Sequence, residues 1–338
     1  MAGLTIDQLI FKGTHNSYAN RGRQAPWMNH PPDKQIDDFG VWAIELDYSV
    51  EAERGAPVAV VGHDRGGDRS GWGKYLSDYL DSILATKSLP YRPIFLCLDV
   101  KRWKRRLLQP WRLPTDVRFS WQDKREAGLE TLRASSGDCL VVLEDWLREH
   151  DWRWPEPGEL AGKVVLYEPG KRDDTGRLVG MQGTWAGRHV RPLEVEYTIE
   201  TGTPIQPYAW RCEGGTRIPR LDQYQADWTF DYGVPPNPIV VDADAPQSSK
   251  VDDAEGKRWR FDDERSHGQV VGMHGTWRFP YRTLAQAVER ARGITPITNG
   301  DPDPRRAGVG WTVLLKPSAH HEAGTPIDCP LRIERAPD

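Results

Sequence analysis

Short apolar runs recur through the first 242 residues, and most of them turn polar at their C-terminal end. Residues 9–14 lead into His15, and residues 58–62 lead into His63 and Asp64. Residues 41–50 (VWAIELDYSV) carry Glu45 and Asp47, and residues 93–101 (PIFLCLDVK) finish on Asp99, Val100 and Lys101. Further runs lie at 139–144, 163–168 and 239–242. Tyr79, Leu80, Ile83 and Leu84 predict a helix over 75–88, and helices are also predicted over 123–134 and from 146 to 149. Apolar strands separated by helices read as parallel strands in βαβ units. Polar residues at their C-terminal ends predict an α/β fold of the TIM type, a (β/α)8 barrel with some irregularity and its site at that mouth. An open doubly wound sheet is the competing architecture, but no Gly-rich turn follows the first strand to support a dinucleotide site.

The chain has 338 residues, enough for a barrel of roughly 250 residues plus an appendage. The expected division is a barrel over 1–243, a linker or long loop over 244–266, and a small α+β appendage over 267–338. Within the appendage a helix is predicted over 281–292 and strands over 311–316 and 329–333. So small a unit has a thin core and is expected to pack on the barrel. Residues 173–238 are irregular and rich in Gly, Pro and Trp, and the last barrel strands and elaborated loops are expected there. One heptapeptide nearly repeats, VGMQGTW at 179–185 and VGMHGTW at 271–277, without the fixed period of a solenoid.

A net charge of −4 gives no reason to expect nucleic-acid binding. Cys97, Cys139, Cys212 and Cys329 form no CxxC pair, and Cys97 and Cys139, in apolar runs, are expected to be buried free thiols. No stretch approaches the ~18 apolar residues of a membrane span. The first residues carry neither a basic nor an apolar signal region, so the expectation is a cytoplasmic protein or a mature secreted form. A monomer is expected.

Four short motifs carry the chemistry. They are Gly13-Thr14-His15-Asn16-Ser17-Tyr18, Glu45-Leu46-Asp47, Gly62-His63-Asp64 and Asp99-Val100-Lys101. Strand side chains alternate between faces, so Glu45 and Asp47 share one face, and Asp99 and Lys101 share one face. In one barrel, Glu45, Asp47 and Asp99 can converge at the mouth. Three carboxylates that close repel unless a cation neutralises them. An all-oxygen set, with Asn16 adding a neutral oxygen, suits Ca²⁺ first and Mg²⁺ second. Two histidines beside a metal-polarised phosphate suit general acid–base work, and Lys101 can contact the phosphate. Each motif alone has an ordinary reading, such as a salt-bridged strand carboxylate, a turn or a loop pair. Their order and their placement at strand ends favour the functional one.

The phrases GTHNSY, VWAIELDYSV, VGHD and PIFLCLDVK resemble the phosphatidylinositol-specific phospholipase C superfamily, in particular its calcium-dependent bacterial branch. The segments at 136–168 and 222–242 are similar to that branch as well. The resemblance implies a TIM-type barrel, His15 as general base, His63 as general acid, and Asn16, Glu45, Asp47 and Asp99 as calcium ligands. Relatives often carry Glu at the third acidic site, where this chain has Asp99. The implied chemistry is attack of the inositol 2-hydroxyl on its own phosphodiester, releasing diacylglycerol and a cyclic inositol phosphate. Phospholipid or a small phosphodiester is then the substrate. Trp27, Met28 and Trp72 are candidates for peripheral membrane contact, with local packing as the equal alternative. The tail from 267 resembles the opening of a right-handed β-helix over a short stretch.

Glycerophosphodiester phosphodiesterases are the rival enzyme reading, and residues 44–70 suit them. They usually open with His-Arg-Gly, whereas Asn16 follows His15 here. A barrel that has lost catalysis and binds lipid or phosphate is the second alternative, against which the intact His15/His63 pair and the three acids argue.

Overall fold

The computed structural model describes residues 5–6, 13–14, 17–18, 31–53, 56–62, 73–100, 121–151, 153–167, 236–245, 275–278, 280–292, 310–317 and 325–337, with the backbone of several short strands between 171 and 270. The main sheet has six strands: β1 (Gly13–Thr14), β2 (Ala43–Glu53), β3 (Ala56–Val61), β4 (Ile94–Val100), β5 (Leu140–Val142) and β6 (Val164–Tyr167). Its order is β1-β2-β4-β6-β5, with β3 on the outer part of β2. Every pairing in it is parallel except β2 with β3. The fold is mixed α/β, and the sheet is a curled half-barrel.

One expected pairing changes here. The run at 58–62 is no further parallel strand but the second arm of a hairpin, in register from Tyr48↔Val61 to Glu53↔Ala56. A two-residue connection leaves no room for the crossover that parallel pairing needs. β6 lies beside β4, with β5 outside it. The run at 139–144 gives only three strand residues before helix α4 (Leu143–Glu149) begins, so β5 is a short edge strand. Cys139 consequently sits in the turn ahead of β5, free and half-buried rather than in the core, while Cys329 is free and buried.

Period-two alternation sorts the sheet into two faces. Ile44, Leu46, Tyr48 and Val50 of β2, Leu96 and Leu98 of β4, and Val164 and Leu166 of β6 pack under three helices. These are α1 (Pro32–Phe39), α2 (Leu76–Leu84) and α3 (Trp121–Ser136). The other face joins Ala43, Phe95 and Val165 to α4 and to residues from far along the chain. Those include Ile239 and Val241 of β13 (Ile239–Val241), Ala287 and Ala291 of α5 (Leu284–Arg292), and Val313 of β16 (Thr312–Leu315). β13, β16 and β17 (Arg332–Arg335) form a parallel sheet of their own. Trp311 packs on Trp42 with ring centroids 5.9 Å apart.

Between these parts the backbone forms β7 (Lys171–Arg172), β8 (Leu178–Val179), β9 (Thr184–Trp185), β10 (Arg188–Leu193), β11 (Ala209–Cys212), β12 (Arg217–Pro219), β14 (Trp259–Arg260) and β15 (Gln269–Val270). β9 to β12 pair antiparallel. Where last barrel strands were expected, the described strands are therefore a separate antiparallel group.

Helix α1 positions the site, and its C-terminal end is held by distant residues. A helix leaves its last four carbonyls without intrahelical donors. Arg92 Nη2 donates to Ile36 O at 3.1 Å and to Val41 O at 2.8 Å. Trp277 N–H donates to Asp37 O at 3.3 Å, and Thr276 Oγ1 donates to Asp38 O at 2.9 Å. The Arg92 guanidinium is fully buried and lies 4.5 Å over the Trp42 ring. Asp37 faces the other way and accepts from the N–H groups of Lys87 and Ser88, tying α1 to the loop ahead of β4.

Candidate active site

β2 carries two of the expected ligands, and its alternation decides where they point. Glu45 and Asp47 lie on the face of Ala43, above the layer of Ala43, Phe95 and Val165. Both are buried, at 5% and 0% exposure. A buried carboxylate costs free energy unless donors or cations compensate it. The parallel register with β4 puts Asp99 opposite Asp47 and Cys97 opposite Glu45. Three acidic positions thus fall on two adjacent strands, two of them directly paired.

The turn that follows β1 is fastened to these acids. Ser17 N–H donates to Glu45 O at 2.8 Å, and Glu45 N–H donates to Ser17 Oγ at 3.0 Å. The Tyr18 hydroxyl donates to Asp47 Oδ2 at 3.2 Å. Gln35 of α1, itself fully buried, donates its side-chain N–H to Ser17 O at 2.9 Å. The Tyr79 hydroxyl donates to Tyr18 O at 3.0 Å.

The end of β3 is fastened to the same strand. Gly62 N–H donates to Asp47 O at 2.9 Å. Its φ of 146° is open to glycine and unfavourable for residues with a Cβ, which accounts for Gly immediately before His63. The two segments that carry the sequence histidines are therefore each bonded to the backbone of the acidic strand, one at Glu45 and one at Asp47.

His15, Asn16, His63 and Lys101 lie outside the described residues, as do Trp27, Met28 and Trp72. For Asp99 the backbone position is described. Among the described residues no group of three or more His, Cys, Asp or Glu is placed to hold a metal. Glu45 and Asp47 nonetheless fit a hard cation, being buried oxygen donors on one face. Ser17, Tyr18 and Gln35 are the residues that sequence reasoning left without a role. Ser17 and Tyr18 stand inside the GTHNSY phrase, so a signal was present; Gln35 had none. His150 is exposed and stacks on Trp146 at 3.8 Å.

No family model matches the chain, and no curated protein matches it. Among solved structures it is similar to a calcium-dependent phosphoinositol-specific phospholipase C from the Gram-negative bacterium Pseudomonas sp.. That match has 17% identity and a TM-score of 0.36, covering 49% of this chain and 58% of the other. It is also similar to a Ca²⁺-dependent phosphatidylinositol-specific phospholipase C from Streptomyces antibioticus, at 16% identity and a TM-score of 0.33, covering 54% of this chain and 60% of the other. The chain thus spans less than two thirds of the length of either relative. Among the described residues no helix is long and apolar enough to cross a membrane.

Proposed function

We propose that this protein is a calcium-dependent phosphodiesterase of the phosphatidylinositol-specific phospholipase C type. One observation carries the reading. Ser17, two residues after His15, is bonded to Glu45, and Gly62, immediately before His63, is bonded to Asp47. Both histidine motifs are thereby anchored on the strand that carries two buried acids of one face.

Glu45 and Asp47, with Asp99 and Asn16, would hold the cation. When bound, it supplies charge to a phosphoryl oxygen and to the attacking hydroxyl. The chain's own residues do the rest. His15 takes the proton from the attacking hydroxyl, and His63 gives one to the leaving alkoxide. Lys101 binds the phosphate. Phe95, Val165 and Ala43 floor the acids with apolar surface, which strengthens electrostatic attraction above it. Residues 267–338 are read as an appendage that braces the barrel, since β16 pairs with β13 and Trp311 packs on Trp42.

The test is ³¹P NMR of the products formed from phosphatidylinositol and from a small glycerophosphodiester, with calcium and with excess chelator. A cyclic phosphate product that disappears with chelator is the expected result. Glycerol 3-phosphate would favour the glycerophosphodiester reading. Binding without turnover would favour a barrel that has lost catalysis. Full activity in chelator would remove the cation. His15→Ala and His63→Ala should each lower turnover by at least ~100-fold.

A further inference from the structure

We propose that Tyr18 is a positioning residue that presets Asp47 for a divalent cation. The inference rests on the reading of Glu45 and Asp47 as cation ligands. The Tyr18 hydroxyl meets Asp47 Oδ2 at 3.2 Å in a fully buried contact. Tyr18 is itself held in place. Its carbonyl accepts from the Tyr79 hydroxyl, and Ser17 before it is bonded to Glu45 in both directions and to Gln35. One short turn therefore fixes the backbone of the first acid and the side chain of the second.

An ionised carboxylate offers about four acceptor positions, so one donated hydrogen bond is compatible with a cation on the same group. The bond restricts the carboxylate to one rotamer before any cation arrives. Partners of metal ligands that act this way typically contribute about 10–100-fold to metal affinity. A tyrosine serving only to pack the core would influence stability and leave that affinity alone. The ring of Tyr18 belongs to the helix-side core, so the hydroxyl has to be tested apart from the ring.

The experiment is calorimetric titration of Ca²⁺ into the full chain, as wild type and as Tyr18→Phe, with thermal unfolding of each without calcium. The expected result is unchanged stoichiometry with affinity about 10–100-fold weaker in Tyr18→Phe. Equal affinity in the two proteins overturns the inference while leaving the cation reading intact. No binding by the wild type overturns both, because Tyr18 would then orient no ligand. Should Tyr18→Phe fail to fold, Tyr79→Phe loosens the same turn and keeps the Tyr18 hydroxyl. A weaker affinity there supports the proposal, and an unchanged one overturns it.

Discussion

Thr276 donates its hydroxyl to the backbone carbonyl of Asp38, 2.9 Å away in space and 238 residues earlier in the chain. With Trp277 N–H on Asp37 O, it supplies donors to the last turn of α1, beyond the local cap in which Gly40 N–H bonds Gln35 O. Gly275 makes the approach possible. Its φ is 84°, and a Cβ there would meet the Tyr281 ring at 2.8 Å and Ile239 at 3.0 Å. Gly275→Ala should therefore cost about 2–4 kcal/mol, from backbone strain and overpacking together. Thr276→Val should cost about 1 kcal/mol for one lost hydrogen bond. Urea unfolding of the two variants checks both the size and the order.

Arg92 should behave as a charge kept in the core for its geometry. Burial pushes its guanidinium down to about 9, with Asp37 nearby acting the other way. Arg92→Met leaves Ile36 O and Val41 O without that donor, and about 2–4 kcal/mol should be lost. Urea unfolding of wild type and Arg92→Met at neutral pH checks the loss.

Gly128 in α3 should reverse the usual helix rule. Replacing Gly by Ala in a helix normally gains up to ~1 kcal/mol. Here a Cβ would sit 2.6 Å from Tyr48 Cζ and 2.9 Å from Cε2. Tyr48 cannot move freely, because its buried hydroxyl donates to Lys124 O at 3.2 Å. Gly128→Ala should lower stability by about 1–3 kcal/mol. An unfolding midpoint at or above wild type would show that α3 can retreat from β2.

Glu159 gives a cleaner electrostatic test at the surface. Its carboxyl is held below the usual range chiefly by the Arg153 side chain, with a further hydrogen bond from Glu156 N–H. Arg153 grips it with two bonds of 2.8 Å. A depressed carboxylate contributes stability above its unfolded pKa, and that contribution is lost as pH falls through the folded value. Arg153→Ala should move the Glu159 titration, followed by NMR, back toward the ordinary range. Burial, which raises the carboxyl, then opposes the remaining bond from Glu156 N–H.

The sequence was most legible where period-two alternation operates alone. Glu45 and Asp47 share a face as alternation requires, and the apolar run around Asp99 is indeed the next parallel strand. The hairpin was less legible, because Arg54-Gly55 between β2 and β3 is not one of the Asn-Gly or Asp-Gly pairs that mark a two-residue turn. The apolar run that follows it looks the same in parallel and antiparallel pairing. The order β4-β6-β5 was out of reach because lateral order depends on packing between distant segments. Arg92 was hidden for a different reason. A lone arginine before Pro93 reads as surface, and only the α1 carbonyls and Trp42 explain its burial. The same holds for Gly275-Thr276-Trp277, an echo whose use shows only once α1 is beside it.

Trp42 and Trp311 lie near opposite ends of the chain, yet they share one apolar face. On the ribosome the first emerges long before the second is made. At ~5–20 residues per second the delay is on the order of tens of seconds. Through that interval the nascent half-barrel must present Trp42, Phe95 and Val165 to the cell without their final cover. Lower temperature or added chaperone should therefore raise the soluble yield of this protein.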